Sequence, residues 1–141
     1  RFIGEGNFLP IKLVQENGEV VGFLPRGTRL KIDSSRLPQD AFADHSDLVV
    51  SVRPQDIRLS VGSETLDHDA GVRSNMITGT IVRTVYLGGT IRYFVDIGEE
   101  QEFFVDTVTP IDDAPFEPGS AVELAISPRA LTVFVKHGDK G

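Results

Sequence analysis

One phrase occurs twice in this chain, 74 positions apart, and it limits the fold more than any other feature. Val50-Ser51-Val52-Arg53-Pro54-Gln55-Asp56-Ile57-Arg58-Leu59-Ser60-Val61 aligns without a gap on Leu124-Ala125-Ile126-Ser127-Pro128-Arg129-Ala130-Leu131-Thr132-Val133-Phe134-Val135. Apolar residues coincide at Val50/Leu124, Val52/Ile126, Ile57/Leu131, Leu59/Val133 and Val61/Val135, and Pro54 coincides with Pro128. Each copy reads as a strand, a proline corner and a second strand. The starts of the two halves agree as well, since Gly6-Asn7-Phe8-Leu9 resembles Ser74-Asn75-Met76-Ile77. A repeat requires that one architecture explain both halves. The expectation is a duplicated all-β module, a binding or regulatory device more often than a catalyst.

The rest of the chain fits that unit. In the first half, Asn7–Val14 reads as a strand, Asn17-Gly18 as a type I′ hairpin turn and Val20–Leu24 as the returning strand. Arg29–Ile32 follows, then a polar loop in which Pro38–Ala43 is expected to form one helical turn. Leu48–Val52 and Ile57–Val61 are expected to close the unit. In the second half, Met76–Leu87 runs into Gly88-Gly89, which supply the positive φ of a tight turn. Ile91, Tyr93, Val95 and Ile97 then alternate with mostly polar neighbours, the pattern of a half-buried strand. Glu102–Asp106 is a short strand, and a Pro-rich crossing leads to the second proline corner. A residue without an N–H is tolerated between strand segments, and its fixed φ turns the chain. About ten short antiparallel strands with little helix, folded as two small OB-like barrels, are therefore expected. Residues 1–61 form the first lobe, 62–73 a linker, 74–137 the second lobe and 138–141 a tail.

Bulk chemistry excludes several functions. With Lys+Arg 14 against Asp+Glu 21 the net charge is −7, a field that repels phosphate backbones. The densest basic group is Arg26, Arg29 and Lys31. Cysteine is absent, so there is neither disulfide framework nor thiolate. No apolar run reaches the ~20 residues of a membrane span. The chain starts in structured sequence and its only methionine is Met76, which reads as a piece of a longer polypeptide. His45 and His68 lie beside aspartates in polar loops, where solvated turns explain them better than metal binding. The pairs Glu99-Glu100 and Asp112-Asp113 fall in turns, read as exposed and unsuited to acid–base work. No nucleophile elbow and no phosphate loop occurs. Tyr93, Phe94, Phe103 and Phe104 suggest a base-stacking platform, but the flanking Glu99, Glu100, Glu102 and Asp106 oppose it. Of Phe103 and Phe104, one must point outward, which suggests a subunit contact.

Three phrases in order resemble a known family. Phe2-Ile3-Gly4-Glu5-Gly6-Asn7-Phe8-Leu9 looks like the stretch after the nucleotide-binding domain in ATPase subunits of binding-protein-dependent ABC importers. Val52-Arg53-Pro54-Gln55-Asp56-Ile57 is similar to the Val-Arg-Pro-Glu-x-Ile phrase of their C-terminal regulatory domain. Asn75-Met76-Ile77-Thr78-Gly79-Thr80-Ile81-Val82, followed by Tyr86-Leu87-Gly88, looks like their TOBE segment. The resemblance implies duplicated OB-like barrels related to molybdate-binding (MOP-like) modules, of the polyamine, iron or sugar importer type. It implies a non-catalytic regulatory and dimerisation domain whose partners are a second ATPase subunit and, through another domain, the permease subunits. ATP and Mg would bind in that other domain, with no cofactor here, and the location would be the cytoplasmic face of the plasma membrane. The signature positions are Asn7, Arg53, Pro54, Asn75, Gly79, Tyr86 and Gly88, read as structural or interface residues. For Arg53, a structural ion pair holding the corner at Pro54 is expected over a contact to a partner. Related modules bind molybdate through Ser-Ala-Arg-Asn; here Val72-Arg73-Ser74-Asn75 has Arg and Ser displaced. The alternative is a sensor of an oxyanion or of the transported solute, and a nucleic-acid-binding barrel ranks last on charge.

Overall fold

The computed structural model describes residues 6–42, 47–61, 74–109 and 114–136. His45, His68, Asp112-Asp113, the linker at 62–73, the tail and Phe2 to Glu5 lie outside the described residues. Ten strands form: β1 (Asn7–Glu16), β2 (Glu19–Phe23), β3 (Arg29–Ile32), β4 (Asp47–Val52), β5 (Ile57–Val61), β6 (Asn75–Tyr86), β7 (Thr90–Asp96), β8 (Phe103–Val108), β9 (Ala121–Ile126) and β10 (Thr132–Lys136). Helix among the described residues is confined to three 3-10 turns, Ser34–Arg36, Pro54–Asp56 and Pro128–Ala130. The helical turn expected at Pro38–Ala43 therefore falls earlier, where Asp33 caps Ser34–Arg36 by accepting from the Ser35 N–H. The chain is all-β, as its alternation predicts.

Hairpin chemistry sets the local geometry. Asn17 and Gly18 take φ of 51° and 81°, the paired positive values of a type I′ turn. At the second hairpin only Gly88 is positive, at 87°, the pattern of a II′ turn. Leu9 and Ile11 of β1 face inward while Phe8 and Pro10 face out, the period of two that buries one face of a sheet. A bulge between Ile81 and Arg83 lets β6 bend as it passes from β9 to β7.

The sheets do not coincide with the sequence halves. One has the order β10-β4-β1-β2-β3 and the other β5-β9-β6-β7-β8, with antiparallel pairing throughout. Strand β5, expected to close the first unit, pairs instead with β9, and β10 pairs with β4. The register carries the repeat: Ser51 faces Thr132, and shifting both by 74 positions gives Ala125 facing Arg58. The two proline corners thus cross, each sending its strand into the opposite sheet. One continuous core results, running from Leu9, Ile11 and Leu30 through Ile57 and Ile81 to Leu124, Ile126 and Val133. Tyr93 is buried in it, its ring edge-on to Phe116 at 5.5 Å and its hydroxyl accepting from the Phe116 N–H at 3.1 Å. Burial raises the Tyr93 phenol above its ordinary value, since a phenolate would lose its hydration.

Candidate functional site

Asn7 and Asn75 open equivalent strands and do the same job in opposite directions. Asn7 is 3% exposed; its Nδ2 donates to the Phe104 carbonyl at 2.9 Å, and its Oδ1 accepts from the Phe104 N–H at 2.8 Å. Asn75 is 8% exposed; it donates to the Lys31 carbonyl at 3.1 Å and accepts from the Lys31 N–H at 2.8 Å. Lys31 lies on β3 and Phe104 on β8, each the last strand of its sheet. Edge strands carry backbone groups with no strand to pair with. A primary amide offers one donor and one acceptor side by side, so it satisfies one residue of such an edge completely. The two asparagines therefore stitch each sheet to the edge of the other.

The crossing corners frame a cleft of about 310 Å³ lined by Arg36, Ser51, Val52, Arg53, Asp56, Arg129, Ala130 and Thr132. Pro54 is buried and starts its 3-10 turn, where its missing N–H costs nothing. Arg53 precedes it and forms a two-point pair with Asp56, Nε to Oδ2 at 2.8 Å and Nη2 to Oδ1 at 3.3 Å. The Asp56 hydrogen bond, and then its charge, raise the Arg53 pKa. The intrachain ion pair expected for Arg53 is what the structure contains. Its side chain is still 69% exposed, and such a pair adds little to stability. Opposite, Arg129 approaches Asp33 at 3.9 Å with a side chain 76% exposed. The Asp33 carboxyl is held below its usual range, first by hydrogen bonds from the Ser35 hydroxyl and N–H, then by the charges of Arg129 and Arg36. Burial works weakly against this. Three guanidiniums thus converge on one cleft of an otherwise acidic chain.

The remaining signature positions separate. Gly79 is a packing residue: a Cβ there would lie 2.6 Å from Val95 Cγ1 and 3.1 Å from the Asp96 carbonyl oxygen. Gly79→Ala is expected to cost about 1–3 kcal/mol by overpacking β6 against β7; equal urea midpoints for the two proteins would contradict this. Gly88 makes the hairpin turn, and Tyr86 stands exposed at its tip with Val85, Leu87 and Val108 close in the pairing. Two sequence expectations need correction. Glu99 is not an exposed turn residue: it is 6% exposed and accepts from the Arg26 N–H, the Thr28 N–H and the Thr28 hydroxyl at 2.8, 3.2 and 2.6 Å. Its partners lie more than seventy residues upstream, so no local pattern shows it. Phe103 faces the core and Phe104 faces out, but Phe104 needs no second subunit for cover. Its ring lies 5.7 Å from Phe94 and 4.7 Å from the Arg92 guanidinium, which is itself clamped by Asp106 at 2.7 and 2.8 Å.

Arg36 and Arg129 escaped the sequence reading. The alignment of Arg129 on Gln55 offered one signal, because it marks a charge the repeat does not require; Arg36 has none. Among the described residues no three His, Cys, Asp or Glu side chains gather as metal ligands, and no helix is long and apolar enough to cross a membrane.

No curated protein matches the sequence. A solved structure of the cytoplasmic molybdate-binding protein ModG with molybdate bound is similar over 95% of this chain and 99% of that one. The identity is 16% and the TM-score 0.74, a likeness of fold. The model of the TOBE domain family matches residues 50–134. That span starts in β4 and ends in β10, so it contains both crossing corners and the whole second sheet. The chain belongs to the TOBE domain family.

Proposed function

We propose that this chain is a non-catalytic regulatory and dimerisation domain of the ATP-binding subunit of an ABC importer, of the polyamine, iron or sugar type. The family match over 50–134 carries this reading. The importer phrases around Asn7, Arg53-Pro54 and Tyr86-Leu87-Gly88 support it. The domain would sit at the cytoplasmic face of the plasma membrane and hold two ATPase subunits together, while ATP and Mg bind in another domain of the subunit and permease subunits dock there. A ligand or protein that prefers one arrangement of the pair would shift the balance between arrangements. The surface offered to a second copy is the β6–β7 tip. Val85, Tyr86 and Leu87 are exposed there without a charge, so contact avoids the repulsion of two acidic chains. Nucleic acid is not a partner of this acidic surface.

Sedimentation equilibrium tests the reading. A weak, reversible dimer is expected, dissociating further in Tyr86→Ser/Leu87→Ser, with no ATP hydrolysis by the chain alone. A strict monomer at high concentration, or turnover above background, would overturn it.

A second reading, a sensor of an oxyanion or of the transported solute, is favoured by one observation: the arginine-lined cleft between the corners. The shared fold with a molybdate-binding protein supports it.

A further inference from the structure

The duplicated scaffold supplies its own control for the cleft. Both corners have nearly the same backbone entering the proline turn, φ −74° and ψ 143° at Arg53 against φ −65° and ψ 140° at Ser127. The second corner is held by a hydroxyl, Ser127 Oγ accepting from the Arg129 N–H at 3.1 Å, with no charge involved. In the repeat, Arg53 corresponds to Ser127 and Arg129 to Gln55. The fold therefore builds the same corner without either arginine, and their charges exceed what folding requires. Arg36 joins them from a different element, the 3-10 turn after β3.

The chemistry of the lining selects a ligand class. Three guanidiniums face one carboxylate, Asp56, so the lining carries net positive charge in a chain of net charge −7. Asp56 occupies two of the five N–H donors of Arg53 and leaves the rest for a ligand. The long contact of Arg129 to Asp33 is loose enough to exchange for a better acceptor. Ser51 and Thr132, facing one another across the β4–β10 pair, add two hydroxyls. The volume, about 310 Å³, falls at the lower end of the ~300–1,000 Å³ of pockets for organic ligands, more room than a lone tetrahedral ion needs.

We propose that this cleft binds a small organic anion carrying two or more carboxylate or phosphate groups, with Arg36, Arg53 and Arg129 taking its charges and Ser51 and Thr132 its remaining polar atoms. The inference deepens the sensing reading and is independent of the importer assignment, because it is measured as binding by the chain alone, whereas self-association tests the other.

The experiment is an amide chemical-shift titration with citrate, fructose 1,6-bisphosphate, inorganic phosphate and molybdate, with spermidine as a cationic control. Saturable shifts centred on Ser51, Arg53 and Thr132 are expected for citrate or the bisphosphate, whichever names the anionic group, and binding should weaken with added salt. Arg129→Gln and Arg36→Gln, both exposed and so without folding consequences, should each weaken binding at least about tenfold. Absence of saturable shifts for both organic anions at millimolar concentration would overturn the proposal. So would binding that survives the double variant, or equally tight binding of phosphate or molybdate, which would remove the case for an organic ligand.

Discussion

Cleaving the chain within residues 62–73 is expected to give two pieces, neither of which folds alone. The first would keep β4 without β10 and leave β5 with no partner strand; the second would keep β9 without β5 and leave β10 with none. Each piece would also expose its part of a core that is continuous across both sheets. Chains of this size bury too little surface to lose a strand and a core face and remain folded. Circular dichroism and amide spectra should show disorder in each piece, and mixing them in equal amounts should restore the native spectrum. A cooperative unfolding transition in either piece by itself would show instead that the lobes at 1–61 and 74–137 are autonomous.

The second large effect concerns the two asparagines. Asn7→Ala leaves the N–H and carbonyl of Phe104 without partners at a buried junction, and Asn75→Ala does the same to Lys31. Stranding a buried donor or acceptor costs about 1–3 kcal/mol. Each substitution should therefore lower the unfolding free energy by about 2–3 kcal/mol in urea titrations. The double variant loses about 5 kcal/mol, comparable to the whole stability of many small domains. Asn7→Asp separates hydrogen bonding from packing: it keeps the acceptor for the Phe104 N–H but turns a lone pair toward the Phe104 carbonyl. It should be as damaging as the alanine, although it fills the same space. Losses below about 0.5 kcal/mol in the single variants would mean that water satisfies the edge strands and that the clamps are dispensable.

What could be read from residues alone is what depends on local periodicity and on backbone stereochemistry. The alternation through Ile91, Tyr93, Val95 and Ile97 marks β7 because a strand must bury one face, and Asn17-Gly18 marks a hairpin because few residues accept positive φ. The repeat around Pro54 and Pro128 holds to the residue in the pairing of β4 with β10 and β5 with β9. Asn7, Asn75 and Gly79 could be singled out as signature positions, but not given their tasks. Glu99 read as solvated, since its donors at Arg26 and Thr28 are neighbours only after folding.

By itself, then, the sequence determined the strands, the turns and the duplication, each specified by residues a few positions apart or by self-similarity. Which sheet each duplicated strand joins was decided only by tertiary structure. The same apolar face of β5 satisfies either barrel, and the choice falls to whichever arrangement completes both cores and pairs both corners at once. That crossing set Arg53 beside Arg129 across the cleft, although they stand 76 positions apart in the chain. Exchange of strands turned a repeated corner into one site.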